Sequence, residues 1–231
     1  MKNHYSFPNS LSKKERNLGT GWLILSFLAV PGMLQYALEP MNLTGVQLNF
    51  VYYCLNFAVT VWIFRHFLKD SFRTALSRPF AVLWYAALGY LGAQALGELL
   101  LIAIYRLLPD FTNVNNDSVV SLLHSDMRIM ALSTILLVPP AEELLFRGVL
   151  FRGIYDKNPT AAYLVSMGLF AAIHVMGFVG SYEPLHLLLC FLQYLPAGYC
   201  LCWCYRQTGT IITPILMHTL VNAISVSQVL R

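Results

Sequence analysis

Charge is what this sequence has least of. Of its 231 residues, 11% are charged and 57% hydrophobic, whereas soluble domains carry about 25% charged residues. The shortage argues against a soluble core and fits a polytopic membrane protein. The net charge of +4 is small, and the basic residues are scattered rather than gathered on one amphipathic element. No nucleic-acid partner is expected. Cysteine is also sparse. Cys54, Cys190, Cys200, Cys202 and Cys204 all lie in apolar runs, and an odd count there argues against a disulfide framework. Positions 200, 202 and 204 alternate, which is poor metal-ligand geometry on a helix and points to lipid or packing contacts. Repeats and low-complexity tracts are absent. The first apolar stretch lacks a small-residue cleavage site at its end, so it reads as a retained helix.

What is present is a series of long apolar runs. A spanning helix takes about 20 apolar residues. Residues 18–38, 46–64, 80–107, 128–155, 159–179, 184–205 and 210–230 qualify, with a kink expected at Pro31 in the first. The expected fold class is all-α, a polytopic transmembrane helix bundle of about seven spans. Residues 1–17 read as a cytoplasmic segment and 18–231 as one transmembrane domain, with a motif core at 128–230. Lys13, Lys14 and Arg16 precede the first span; Arg65, Lys69, Arg73 and Arg78 follow the second; Arg152 and Lys157 follow the fourth; Arg206 follows the sixth. Basic loops thus alternate with the others, the positive-inside pattern for a cytoplasmic N-terminus. Polar residues 113–126 read as a loop or a short surface helix.

Once the loops are set aside, the ionisable groups within the spans are Glu98, Glu142, Glu143, Arg147, His174 and His218. Such groups are functional candidates by default. Glu143 and Arg147, four apart, share a helix face and can pair. Glu142 lies about 100° further round and is the carboxylate least consumed by Arg147. The alternative is that both glutamates share Arg147 and lock the helix. Pro139 and Pro140 remove two backbone donors and disfavour a straight helix just before Glu142. Broken backbone is tolerated at membrane depth where it lines a cavity, so Glu142 is expected to see water; a simple kink is the bland alternative.

Phe170 and His174 share a face, as do His218 and Asn222. A His-Asn pair can be an interhelical hydrogen-bond device or a set of donors aimed at developing negative charge. At about 1.5 Å per residue, Glu142, His174 and His218 all fall near mid-bilayer. Gly89, Ala93 and Gly97 form a small-residue face. Gln94 and Glu98 share another, with Glu98 either touching the site or meeting a structural partner.

Three motifs on three spans, Glu142-Glu143-Leu144-Leu145-Phe146-Arg147, Phe170 to His174 and His218-Thr219-Leu220-Val221-Asn222, resemble the CAAX protease and bacteriocin-processing (Abi) family, which includes the type II CAAX prenyl endopeptidases. The resemblance covers roughly residues 139–222. It implies an intramembrane endopeptidase acting on a peptide or lipid-anchored protein within membrane lipid, with bacteriocin processing or self-immunity as roles of small members. It implies that Glu142 activates water with His174, that His218 and Asn222 stabilise the oxyanion, and that Glu143 and Arg147 support them. A zinc mechanism stays open, because two glutamates and two histidines could ligate the ion. The motif lacks the paired histidines of a zinc-protease helix, so a metal-independent mechanism without cofactor is favoured. Relatives often have eight spans, one more than here. The rival readings are a non-catalytic immunity or scaffold protein of the same fold, and a proton-coupled carrier, which no internal repeat supports.

Overall fold

The computed structural model describes residue 7 and residues 11–229. Most of the cytoplasmic segment assigned to residues 1–17, and the chain end at Leu230 and Arg231, lie outside them. Ten helices account for most of the described residues: α1 (Lys13–Leu28), α2 (Val30–Leu38), α3 (Gly45–Ile63), α4 (Arg65–Leu76), α5 (Pro79–Leu107), α6 (Val114–Ser125), α7 (Met127–Tyr155), α8 (Pro159–Val175), α9 (Pro184–Thr208) and α10 (Ile212–Val229). Among the described residues there is no β-strand, only one isolated bridge between Val179 and Tyr182. Six helices are long and apolar enough to cross a membrane, and the bent pair α1–α2 makes a seventh if it is one span. The protein is a multi-pass membrane protein with an all-α bundle.

The first span differs in detail from its sequence reading. The helix starts at Lys13, five residues earlier than 18, because Ser12 and Glu15 form a capping box. The break comes at Ala29 rather than at Pro31, and Pro31 sits in the first turn of α2. A proline lacks the donor that a first turn leaves unused anyway. The two halves meet at 55°.

The basic stretch after the second span is helical too. In α4, Phe67, Ser71 and Ala75 face inward, while Lys69, Asp70 and Arg73 are exposed. Its start is held from a distance: the Phe67 amide donates to Glu15 Oε1 at 3.1 Å. An acidic side chain suits a helix start, where backbone donors are unpaired. Trp22 Nε1 donates to Asn56 Oδ1 at 2.8 Å and to Thr60 Oγ1 at 3.1 Å, tying α1 to α3.

Helix α7 is the axis of the bundle. Half of its apolar window is buried (50%), against 17% for α5. Pro139 and Pro140 do not break it, contrary to expectation. The turns on both sides, Ser133–Leu137 and Leu144–Phe151, widen into π-helix. The wider turn at Ser133–Leu137 relieves the clash between the proline rings and the carbonyls four residues before them. Neighbouring side chains reach these widened segments. Asn222 Nδ2 donates to the Thr134 carbonyl at 2.8 Å, and Ser166 Oγ to the Phe146 carbonyl at 2.9 Å.

Helices α8 and α9 meet closely at Gly198. A Cβ there would sit 2.9 Å from Met167 Cβ and 3.1 Å from Met167 Cα. Backbone cannot give way as a flexible side chain can. Gly198→Val is therefore expected to push the helices apart and cost about 1–3 kcal/mol, read as a lower melting temperature in detergent. Cys200, Cys202 and Cys204 are all buried, so their contacts are packing and not lipid. Cys204 Sγ donates to the Tyr85 carbonyl at 3.0 Å.

Candidate active site

The site is built on α7 and faced by α3, α8, α9 and α10. The ion pair read from the Glu143–Arg147 spacing is formed, with Arg147 Nη1 3.1 Å from Glu143 Oε1 and both side chains fully buried. Arg147 has further partners. Its Nη2 donates to the Gly198 carbonyl at 3.1 Å, and its guanidinium lies 4.4 Å from the Phe170 ring centre. A desolvated cation over a ring face gains more than an exposed one. The Phe170 side chain is thus the floor of the site rather than a bystander in its motif.

Glu143 has a second partner. His218 Nδ1 lies 2.8 Å from Glu143 Oε1. With Nδ1–H donating to that carboxylate, Nε2 is the nitrogen of His218 left for other work. His174 is oriented by the same logic. Its Nδ1 lies 2.7 Å from the Phe170 carbonyl, which can only accept. In the neutral ring Nε2 therefore carries the lone pair and accepts a proton or a water hydrogen. Asn222, one turn beyond His218, uses one amide hydrogen on Thr134 and keeps a second.

Glu142 stands apart from this network. It is 9% exposed, and its Oε2 is buried without a hydrogen-bond partner among the described residues. It interacts electrostatically with His218, Arg147 and Glu143 of the motifs. The expected break just before Glu142 is absent: the helix is continuous there, and Glu142 is buried.

Sequence reasoning missed a polar lid. Tyr194 on α9 stacks on His174, with ring centres 4.2 Å apart and planes at 23°. Its hydroxyl shares its one hydrogen between Asn116 Oδ1 at 3.0 Å and Asn113 Oδ1 at 3.2 Å, and accepts from Asn115 Nδ2 at 2.9 Å. Asn113 also caps α6 by accepting from the Asn115 and Asn116 amides. The segment 113–126, left open between loop and helix, is thus a surface helix that anchors Tyr194. Tyr52 and Tyr53 on α3 complete the surroundings of Glu142 electrostatically. A cluster of asparagines at 113, 115 and 116 was the available signal; a lone tyrosine in an apolar run gave none.

No group of three or more His, Cys, Asp or Glu among the described residues is placed to hold a metal ion. Glu143 Oε1 is already shared by Arg147 and His218. This donor set does not fit a tetrahedral zinc site.

Residues 124–224, which contain all three motifs, match the family described as type II CAAX prenyl endopeptidase Rce1-like. That match covers 101 of the 231 residues, a little under half of the chain. The chain is also 31% identical over 113 residues to the UPF0177 protein YxdF of Lactococcus lactis subsp. lactis (strain IL1403), covering 48% of this chain and 57% of that protein. The chain therefore spans little more than half of that curated relative. No solved structure matches the chain at a significant level. The family match ends at residue 224, just beyond Asn222, so α10 is inside it up to that residue and α1 to α5 are outside.

Proposed function

We propose that the protein is an intramembrane endopeptidase that hydrolyses a peptide bond in a membrane-associated or lipid-anchored peptide or protein. The observation that carries this reading is Glu142. It is a buried carboxylate that makes no hydrogen bond or ion pair with another described residue, beside a second carboxylate already met by Arg147 and His218. In this reading Glu142 takes a proton from a water whose other hydrogen is held by His174 Nε2. The water oxygen bonds to the scissile carbonyl carbon, and the carbonyl pair moves onto oxygen. The second amide hydrogen of Asn222 and the Nε2–H of a doubly protonated His218, whose Nδ1–H is held by Glu143, meet that oxyanion, as positioned donors do. The carbon–nitrogen bond then breaks, and the leaving amine takes the proton back from Glu142. Glu143 and Arg147 orient His218 without touching substrate. No step runs through a metal. The N-terminus is assigned to the cytoplasm on the alternation of basic loops.

The test is the full chain in liposomes with a reporter peptide carrying a prenylated C-terminal cysteine motif, and a second reporter lacking the lipid. Cleavage that survives a chelator is the expected result. No cleavage of either reporter would overturn the reading. Tyr194→Ala is expected to lower kcat roughly ten- to hundredfold by releasing His174 from its stack. Tyr194→Phe, which keeps the ring, is expected to retain most activity. Equal activity in the two variants would remove Tyr194 from any positioning role.

A further inference from the structure

The catalytic reading leaves the carboxylate of Glu98 without a task. Helix α5 is the least buried of the six long spans. Val82, Ala86, Gly89 and Ala93 pack inward, and a Cβ on Gly89 would meet Cys204 and Met217. On the opposite face Gln94 and Glu98 are both exposed. Neither makes a hydrogen bond or ion pair with another described residue. Glu98 lies ~10 Å along the helix from Tyr105 and ~21 Å from Trp84, so it falls inside the apolar layer. Its short side chain cannot reach either interface as a lysine or arginine can. Charged groups in spans nearly always face the bundle interior or a cavity. A glutamate and a glutamine turned together toward lipid therefore look for a partner outside the chain.

The spacing of that face says what kind of partner. Trp84, Ala87, Leu91, Gln94, Glu98 and Tyr105 are all exposed. Their intervals alternate between three and four residues and close with one of seven. That is a 3.5-residue seam, the pattern that lets two helices wind around each other in a left-handed pair. Leu101, which completes the series, is half-buried. The small Ala87 permits close approach.

We infer that α5 pairs in parallel with α5 of a second copy of this chain through this seam. Copies inserted in one membrane share an orientation, so a two-fold axis along the membrane normal brings equal depths together. Gln94 then meets Gln94 of the partner subunit and Glu98 meets Glu98 of the partner subunit at equal depth, and each Gln94 amide, one turn away, donates to the carboxyl of Glu98 of the partner subunit. A foreign helix would need its own polar group at the same depth; a second copy always brings one.

The experiment uses the full chain in liposomes, with Cys54, the one cysteine that is not buried, changed to alanine. Leu91→Cys places a thiol on the seam. Leu99→Cys places one on another lipid-facing side, where Leu99 is 66% exposed. A short bismaleimide is expected to give a covalent dimer from Leu91→Cys and not from Leu99→Cys. Adding Gln94→Leu and Glu98→Leu is expected to lower the dimer yield roughly tenfold, whereas Glu98→Gln keeps most of it. The leucine variants remove polar groups from hydrocarbon, so the melting temperature of the monomer is expected to hold or rise. Equal crosslinking at both positions, a yield indifferent to the two leucines, or a chain that stays monomeric at every lipid ratio would overturn the proposal. The last result would assign the seam to a foreign helix.

Discussion

Glu142→Gln is expected to lower peptide hydrolysis by about 10²- to 10⁴-fold, the range that a positioned general base supplies, while leaving the fold at least as stable. The two halves of this expectation come from one fact. Glu142 is buried and its Oε2 has no hydrogen-bond partner. A carboxylate so placed contributes no ion pair whose loss would destabilise the bundle, and glutamine has the same shape without a charge to desolvate. The amide cannot take the proton of an attacking water, so turnover falls. Measuring kcat on the anchored reporter and the melting temperature on the same preparation separates this from a structural role. If Glu142 shared Arg147 with Glu143 merely to lock α7, the melting temperature would fall and turnover would follow it. The expected result for a general base is a fall in turnover with the melting temperature held.

Much of this arrangement was legible in the sequence, for physical reasons. Spans are visible because a bilayer demands about 20 apolar residues and leaves few charges inside. The Glu143–Arg147 pair is visible because helical spacing is fixed once the helix is granted. What escaped were features set by tertiary contact. Pro139 and Pro140 predict a break only if every turn keeps α-helical hydrogen bonding, and α7 instead widens into π-turns on both sides. The start at Lys13 rests on a capping box, and α4 was read as loop because basic residues mask its buried stripe of Phe67, Ser71 and Ala75. That Glu143 would be shared by Arg147 and His218 could not be read from either motif. The two residues approach across α7 and α10, and sequence spacing describes only one helix at a time. The same limit hid Tyr194, whose stacking on His174 joins α8 to α9.

The shared Glu143 also sets the second large effect, which is on stability. Arg147→Met is expected to destabilise the protein by about 3–5 kcal/mol, the range for breaking a buried pair by removing one partner. Arg147 is fully buried and holds Glu143 at 3.1 Å, the Gly198 carbonyl at 3.1 Å and the Phe170 ring. Its loss leaves Glu143 enclosed with His218 alone. Removing both charges tells a different story. The double variant Glu143→Leu, Arg147→Met replaces the pair with apolar side chains, and such replacements are often neutral. It is expected to recover much of the lost stability, seen as a higher melting temperature than the single variant under the same detergent. Activity is expected not to recover, because His218 Nδ1 then has no carboxylate to hold it. A double variant as unstable as Arg147→Met would show that the Gly198 and Phe170 contacts, and not the pair, carry the stability. A double variant that regained hydrolysis would remove His218 orientation from the mechanism.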